Sequence, residues 1–299
     1  MVVDCGKCVV AEPTEGFGCV RKTTFIFERI GMKKHILAMA LVALFGTTVA
    51  YGGGDGGLHG TLDATYVSRY IWRGYDAYGS DHSAFQPSLD LDLFGTGFGV
   101  TTWWSRANGS GFEKSEWLTI TPYYRTRLFA GQPHVTNFKI GYTYFGYPDA
   151  QRRGANPGTG HAQEVFAMFQ WPELFPCGLV PSYAAFAYWP SESKAMNRNN
   201  GGWAHVFGIG KDVMVDNLLG GEDQQAIHLG FHTVYNDSVG PAGAAADHDW
   251  SHGVFSVSTG FQLSENLRFT PGFHYQSSWD DSINPSDEYW TSLSLSYSF

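Results

Sequence analysis

The sequence predicts an all-β protein: a membrane-spanning, antiparallel, up-and-down β-barrel of about 12 strands, with 10 or 14 as the alternatives. Three observations lead there. Runs of roughly ten residues alternate between an apolar and a polar face from Leu58 to Phe299. The connections alternate as well, short after runs 2, 4 and 10 and longer after the odd-numbered ones. Only Ile36–Phe45 is apolar enough to resemble a membrane helix, and it is too short to span.

That apolar run belongs to a removable front end. Met32, Lys33, Lys34 and His35 precede it and Thr48, Val49 and Ala50 follow, the order of a secretory signal peptide over 32–50 cut near Ala50. Residues 1–31 lie upstream, show no periodicity and read as a mis-called extension, with Met32 the initiator. They hold Cys5, Cys8 and Cys19; the CxxC of Cys5 and Cys8 has no second ligand pair or βαβ pattern around it. Residues 51–57 are a Gly-rich lead-in, and the barrel occupies 58–299.

Of the 299 residues, 16% are aromatic and 16% charged, a balance that suits a lipid-facing surface. The formal net charge is -9, and without residues 1–50 the chain keeps 13 basic against 24 acidic side chains. Nucleic acid is excluded as a partner at that charge. One thiol, Cys177, remains, so no disulfide forms within the mature chain.

The first run, Leu58–Arg73, sets Leu62, Ala64, Tyr66, Ser68, Tyr70 and Trp72 against Thr61, Asp63, Thr65, Val67, Arg69, Ile71 and Arg73. Phe85, Leu89, Leu91 and Leu93 then oppose Gln86, Ser88, Asp90 and Asp92, and the FGTGFG turn at 94–99 reverses the chain into Val100–Arg106. In 116–129, Leu118, Ile120, Tyr124 and Leu128 oppose Trp117, Thr119, Thr121, Tyr123, Arg125 and Arg127; next, Phe138, Ile140, Tyr142 and Tyr144 oppose Asn137, Lys139, Gly141 and Thr143. The faces of 164–171, 180–189 and 203–212 are less clear, and Pro172, Pro176, Pro181 and Pro190 bracket them. Alternation sharpens at 226–236, with His228, His232 and Asn236 on the polar side, and continues through 255–261 and 267–278. In the final EYWTSLSLSYSF, Tyr289, Leu293, Leu295, Tyr297 and Phe299 oppose Trp290 and the serines. Tyr66, Tyr70, Trp72 and Trp104 are expected as membrane-interface aromatics.

Two resemblances refine the picture. A strand closing on Tyr297 and Phe299 resembles the terminal signal by which bacterial outer-membrane barrels engage their insertion machinery. Ser68, Tyr70, Trp72, Arg73 and Gly74, an S-x-Y-x-W-R-G segment, together with Gln86, Pro87 and Leu89, resemble the TorF-type porin family, small outer-membrane barrels. The resemblance implies a Gram-negative outer-membrane location and a channel-like fold, and supplies neither a substrate nor catalytic residues.

The expected function is therefore passive passage of small hydrophilic or charged solutes, with outer-membrane lipid, lipopolysaccharide and the insertion machinery as the other partners. Association into homo-oligomers stays open. The candidate selectivity residues are the inward charges Asp63, Arg69, Arg73, Asp90, Asp92, Glu116, Arg125, Arg127, Lys139 and Arg268, with Glu164 beside them. Arg73, Arg125, Arg127 and Lys139 would form a basic wall facing an acidic wall of Asp63, Asp90 and Asp92, a transverse field across the lumen. The alternative is an ion-pair network that fills the lumen and stiffens the barrel. No metal or cofactor is expected: His228 and His232, four apart on a strand, stand about 13 Å from each other. An enzyme is the second functional reading, although Ser251 with His252 lacks a nucleophile motif and SESK at 191–194 sits in a polar loop. A non-conducting scaffold is the third.

Overall fold

A computed structural model describes residues 57–79, 82–149, 161–191, 201–216, 218, 224–237 and 246–299. The segments expected as upstream extension (1–31) and signal peptide (32–50) lie outside them with residues 51–56, as does SESK beyond Ser191. Among the described residues there is no helix. Strand β1 (Leu58–Val67) is followed by two short strands, β2 (Ile71–Trp72) and β3 (Tyr75–Asp76), which pair only with each other. Next come β4 (Ala84–Leu93), β5 (Phe98–Ala107), β6 (Trp117–Leu128), β7 (Thr136–Gly146), β8 (Ala162–Gln170) and β9 (Val180–Pro190). The wall continues with β10 (Gly202–Asp216), β11 (Gln224–Asp237), β12 (Asp249–Thr259), its short continuation β13 (Phe261–Gln262), β14 (Leu267–Ser278) and β15 (Glu288–Ser298).

Each wall strand pairs antiparallel with its neighbour in sequence, and β15 returns to β1 with Thr61 opposite Ser298 through Val67 opposite Ser292. The sheet has 13 strands, and because β13 extends β12 the closed barrel has twelve staves, as expected. Closure is what hydrocarbon demands, since each backbone group left unpaired there costs several kcal/mol, on the order of a lost hydrogen bond in an apolar solvent. The outward face is apolar: Phe85, Ile120, Ile140, Phe231, Phe255, Leu293 and Leu295 are all exposed.

Residues 58, 60, 62, 64 and 66 point outward, and the seam is sealed at one of them. Gly60 and Phe299 exchange two backbone hydrogen bonds of 2.9 Å, and the Phe299 ring lies where a side chain on Gly60 would stand, 2.6 Å from the position a Cβ would take. Only glycine lets that ring lie flat on the seam.

The expected first strand, Leu58–Arg73, is too long. The wall strand ends at Val67, where Ser68 makes a last pair of hydrogen bonds with Thr291, and the chain then turns into the barrel. Arg73 and Gly74, at the tip of the β2–β3 hairpin, have φ of 48° and 96°. Two successive positive values make the tight two-residue turn whose twist matches a hairpin.

Candidate functional site: an inward segment over a polar lumen

Segment 68–79 enters the lumen and touches opposite walls. On one side Tyr70, buried, has its ring 5.6 Å from Trp103 of β5 and 5.3 Å from Trp117 of β6. Trp72 meets Trp117, Phe145 of β7 and Tyr188 of β9 edge-on at 5.9–6.3 Å. The expectation of Tyr70 and Trp72 as interface aromatics is thereby corrected. Once the chain leaves the wall after Val67, side-chain parity no longer reports inside from outside, and burying two large rings among four others is worth several kcal/mol, roughly 2 per ring. Tyr66 and Trp104 do sit on the outward face, Tyr66 exposed and Trp104 half-buried.

The charges of this segment are spent on holding it. Arg73 donates to Glu164 of β8, and its guanidinium lies 4.7 Å from the Trp72 ring centre and 4.8 Å from that of Phe186. Arg69 pairs with Glu288 of β15 and approaches Asp76 at 3.9 Å. The Tyr78 hydroxyl donates to Ser105 Oγ at 2.9 Å, and burial pushes its phenol well above the ordinary range. On the far side the Gly74 carbonyl accepts from Gln276 Nε2 of β14 at 2.6 Å and from Asn284 Nδ2 at 3.1 Å. A Cβ on Gly74 would stand 2.5 Å from His252 of β12, so the tip rests on that ring.

Buried residues ring the barrel at this level. Following the register from β1 to β15, every wall strand contributes a buried inward residue: Thr65, Gln86, Ser105, Trp117, Thr143, Glu164, Phe186, Ala204, Asn236, His252, Gln276 and Glu288, none more than 7% exposed.

Below this belt the remaining candidate charges are paired along one wall rather than across the lumen. Arg125 reaches Asp92 at 2.5 Å, and the Tyr123 hydroxyl donates to Asp90 at 2.7 Å. The Tyr123 side chain crosses β5 at Gly99, where any Cβ would collide with its ring. Lys139 sits 3.9 Å above that ring. Arg127 pairs with Glu173 at 2.5 Å in the turn after β8, and Asp63 accepts from Thr65 at 2.6 Å and Ser296 at 2.5 Å. Arg268 lies against Gly260. Glu116 is the exception to inwardness: it precedes β6, answers Arg106 of the outward face at 3.6 Å, and burial raises its carboxyl despite that cation. The basic and acidic walls thus interdigitate on β4 and β6.

The opposite half is built differently. The inward positions of β10, β11 and β14 include Gly208, Gly230 and Gly272, and a Cβ on each would meet the hydroxyl of Ser182, Ser256 or Ser292 at 2.5–2.6 Å. His274 bonds Ser292 at 3.0 Å and stacks on Trp290, and His228 pairs with Asp212 at 2.7 Å. No group of three or more His, Cys, Asp or Glu able to hold a metal occurs among the described residues. Ser251 Oγ and His252 Nδ1 are 2.8 Å apart, but both are buried beneath Gly74.

Sequence reasoning missed Gln276, Asn284 and His252 as partners of the segment. Alternation put Gln276 on the polar side; nothing local tied it to Gly74, 202 residues away.

No protein-family model matches the sequence, and no curated protein matches it. Among solved structures the chain is similar to the KdgM porin in complex with disordered oligogalacturonate, at TM-score 0.45 and 11% identity over 80% of this chain and 99% of that one. It is also similar to the NanC porin, at TM-score 0.47 and 10% identity over 79% and 98%. An outer membrane channel from Pseudomonas putida F1 aligns at TM-score 0.47 and 12% identity over 82% and 96%. None of these likenesses reaches a TM-score of 0.5, so what the chain does must be read from its own lumen.

Proposed function

We propose that the chain is an outer-membrane channel of the porin type, admitting small hydrophilic solutes, with segment 68–79 as its constriction. The observation that carries this is the pairing of an apolar outward face with a polar inward one in a closed sheet, which only a bilayer outside and water inside would favour. The paired charges on β4 and β6 tune the periplasmic half of the lumen, with Lys139 and Arg268 as its cations outside any ion pair among the described residues. Purified protein reconstituted in planar bilayers should conduct ions. A correctly folded barrel that conducts neither as it stands nor when the segment is loosened would falsify this reading.

The buried belt favours a second reading, a barrel closed at rest that conducts only when the segment shifts. Rare openings that become frequent when the segment is loosened distinguish it from a permanently open pore. An enzymatic role has less support, because Ser251 and His252 are buried while the segment is seated on them and no nucleophile motif surrounds them.

A further inference from the structure

Resting on that channel reading, we propose that solutes pass on one side of the segment only, between its Arg73–Gly74 tip and the wall of β11, β12 and β14, and that this route selects neutral, hydrogen-bonding solutes.

The argument begins with how the segment is held. Toward β5–β9 its contact is aromatic packing, with Tyr70 and Trp72 among Trp103, Trp117, Phe145 and Tyr188. Rings interlocked this way leave no room for a hydrated path without taking the cluster apart. Toward β12 and β14 the contact is the backbone of one glycine. Gly74 offers its carbonyl to Gln276 and Asn284, and it rests on His252 with no side chain of its own. Hydrogen bonds of this kind exchange with water at small net cost, whereas buried rings do not.

Unmet polar atoms mark the same side. Asn236 Nδ2 and Oδ1, Gln276 Oε1 and Asp280 Oδ2 are buried without a hydrogen-bond partner. The aromatic side has its own, the indole N–H groups of Trp103 and Trp117 and one Arg73 nitrogen, but these are donors enclosed by rings. The amide and carboxylate oxygens of this wall, with Gln276 itself at Gly74, are the groups that water or a hydroxyl-bearing solute would satisfy when the tip lifts.

What lies beneath continues the route. Directly along β10, β11 and β14 the wall is thinned by Gly208, Gly230 and Gly272 and coated by the hydroxyls of Ser182, Ser256 and Ser292. Under the aromatic side, Tyr123, Arg125 and Lys139 project instead, tied to β4. Among the described residues a solute keeping to the thin wall meets mainly hydroxyls and imidazoles, with Asp280 near the tip, the His228–Asp212 pair and Arg268 of β14 as its charges. That surface suits a neutral, hydroxyl-rich molecule better than an ion.

The test uses the full barrel with its exposed native thiol removed (Cys177→Ser). Single cysteines replace Ser256 and Ser258 on the proposed route, and Thr121 and Met168 on the other wall. Single-channel current is recorded in planar bilayers before and after a small neutral methanethiosulfonate reagent. Loss of current on modifying Ser256→Cys or Ser258→Cys, with Thr121→Cys and Met168→Cys indifferent, is the expected result. Current lost only at Thr121→Cys or Met168→Cys, or unaffected by all four, overturns the one-sided route while leaving the channel intact. A second arm loosens the tip by Gln276→Leu: openings should become more frequent, and proteoliposomes carrying the variant should swell faster in isosmotic glucose than in isosmotic potassium gluconate. The reverse order overturns the neutral selectivity. If neither the starting barrel nor Gln276→Leu conducts, the channel reading itself fails, and the route with it.

Discussion

The two faces of segment 68–79 show how one short stretch can be both anchored and releasable. Its β5–β9 face is a dry set of rings closed by the Arg73–Glu164 pair; its β12–β14 face is a glycine carbonyl under two amide nitrogens. Aromatic burial resists water, and amide hydrogen bonds trade with it, so the first face behaves as a hinge and the second as a latch.

Breaking the hinge should have the largest effect. Trp117→Ala removes the ring that Tyr70, Trp72, Tyr78 and Trp103 share, and should cost about 3–5 kcal/mol. The check is proteolysis of intact barrels, with cleavage appearing within 68–79. Glu164→Gln comes next, leaving the half-buried Arg73 beside a buried neutral amide, for about 3 kcal/mol by the logic of a broken buried pair. Thermal unfolding in detergent measures it, and an unchanged midpoint would mean that the ring cluster alone holds the segment.

The latch should be cheaper. Gln276→Leu removes one of two bonds to the Gly74 carbonyl and should lower stability by only about 1 kcal/mol, with a visible rise in open probability. A loss as large as that of Trp117→Ala would erase the distinction between the faces. The smallest effect calibrates the tip. Phe94 has φ 61° in the β4–β5 turn, so Phe94→Gly should stabilise the barrel by up to about 1 kcal/mol, whereas Arg73→Gly, which relieves φ 48°, should still destabilise it. If both substitutions stabilise, Arg73 holds nothing of value.

The wall was largely legible in the sequence. The strand count, the inward faces of β4, β6, β7, β11 and β15, and the closure of the terminal strand on the first all follow from period-two alternation, because a strand cannot change faces without a bulge. The site was legible only in part. Alternation runs unbroken through Ile71–Arg73, so it carries no mark of where the chain leaves the wall; the Arg73–Gly74 pair, able to take two positive φ values, was the available cue. Charge partners were hidden for another reason. Side-chain parity says that Tyr123 and Asp90 both face inward, but their meeting across β5 depends on the missing side chain at Gly99. Arg125 likewise reaches Asp92 on the next strand but one, a pairing along the wall that parity alone does not reveal.

Ser68 follows β1 directly, and β1 is one lip of the seam whose other lip is β15. The first holds on the segment, Ser68 to Thr291 and Arg69 to Glu288, are therefore made on the very strand that closes the sheet. Segment and seam form one joint in the assembly of the molecule. A strain or break at the seam is therefore felt by the segment at once, and a loosened segment tugs on the lip that Phe299 and Gly60 hold shut.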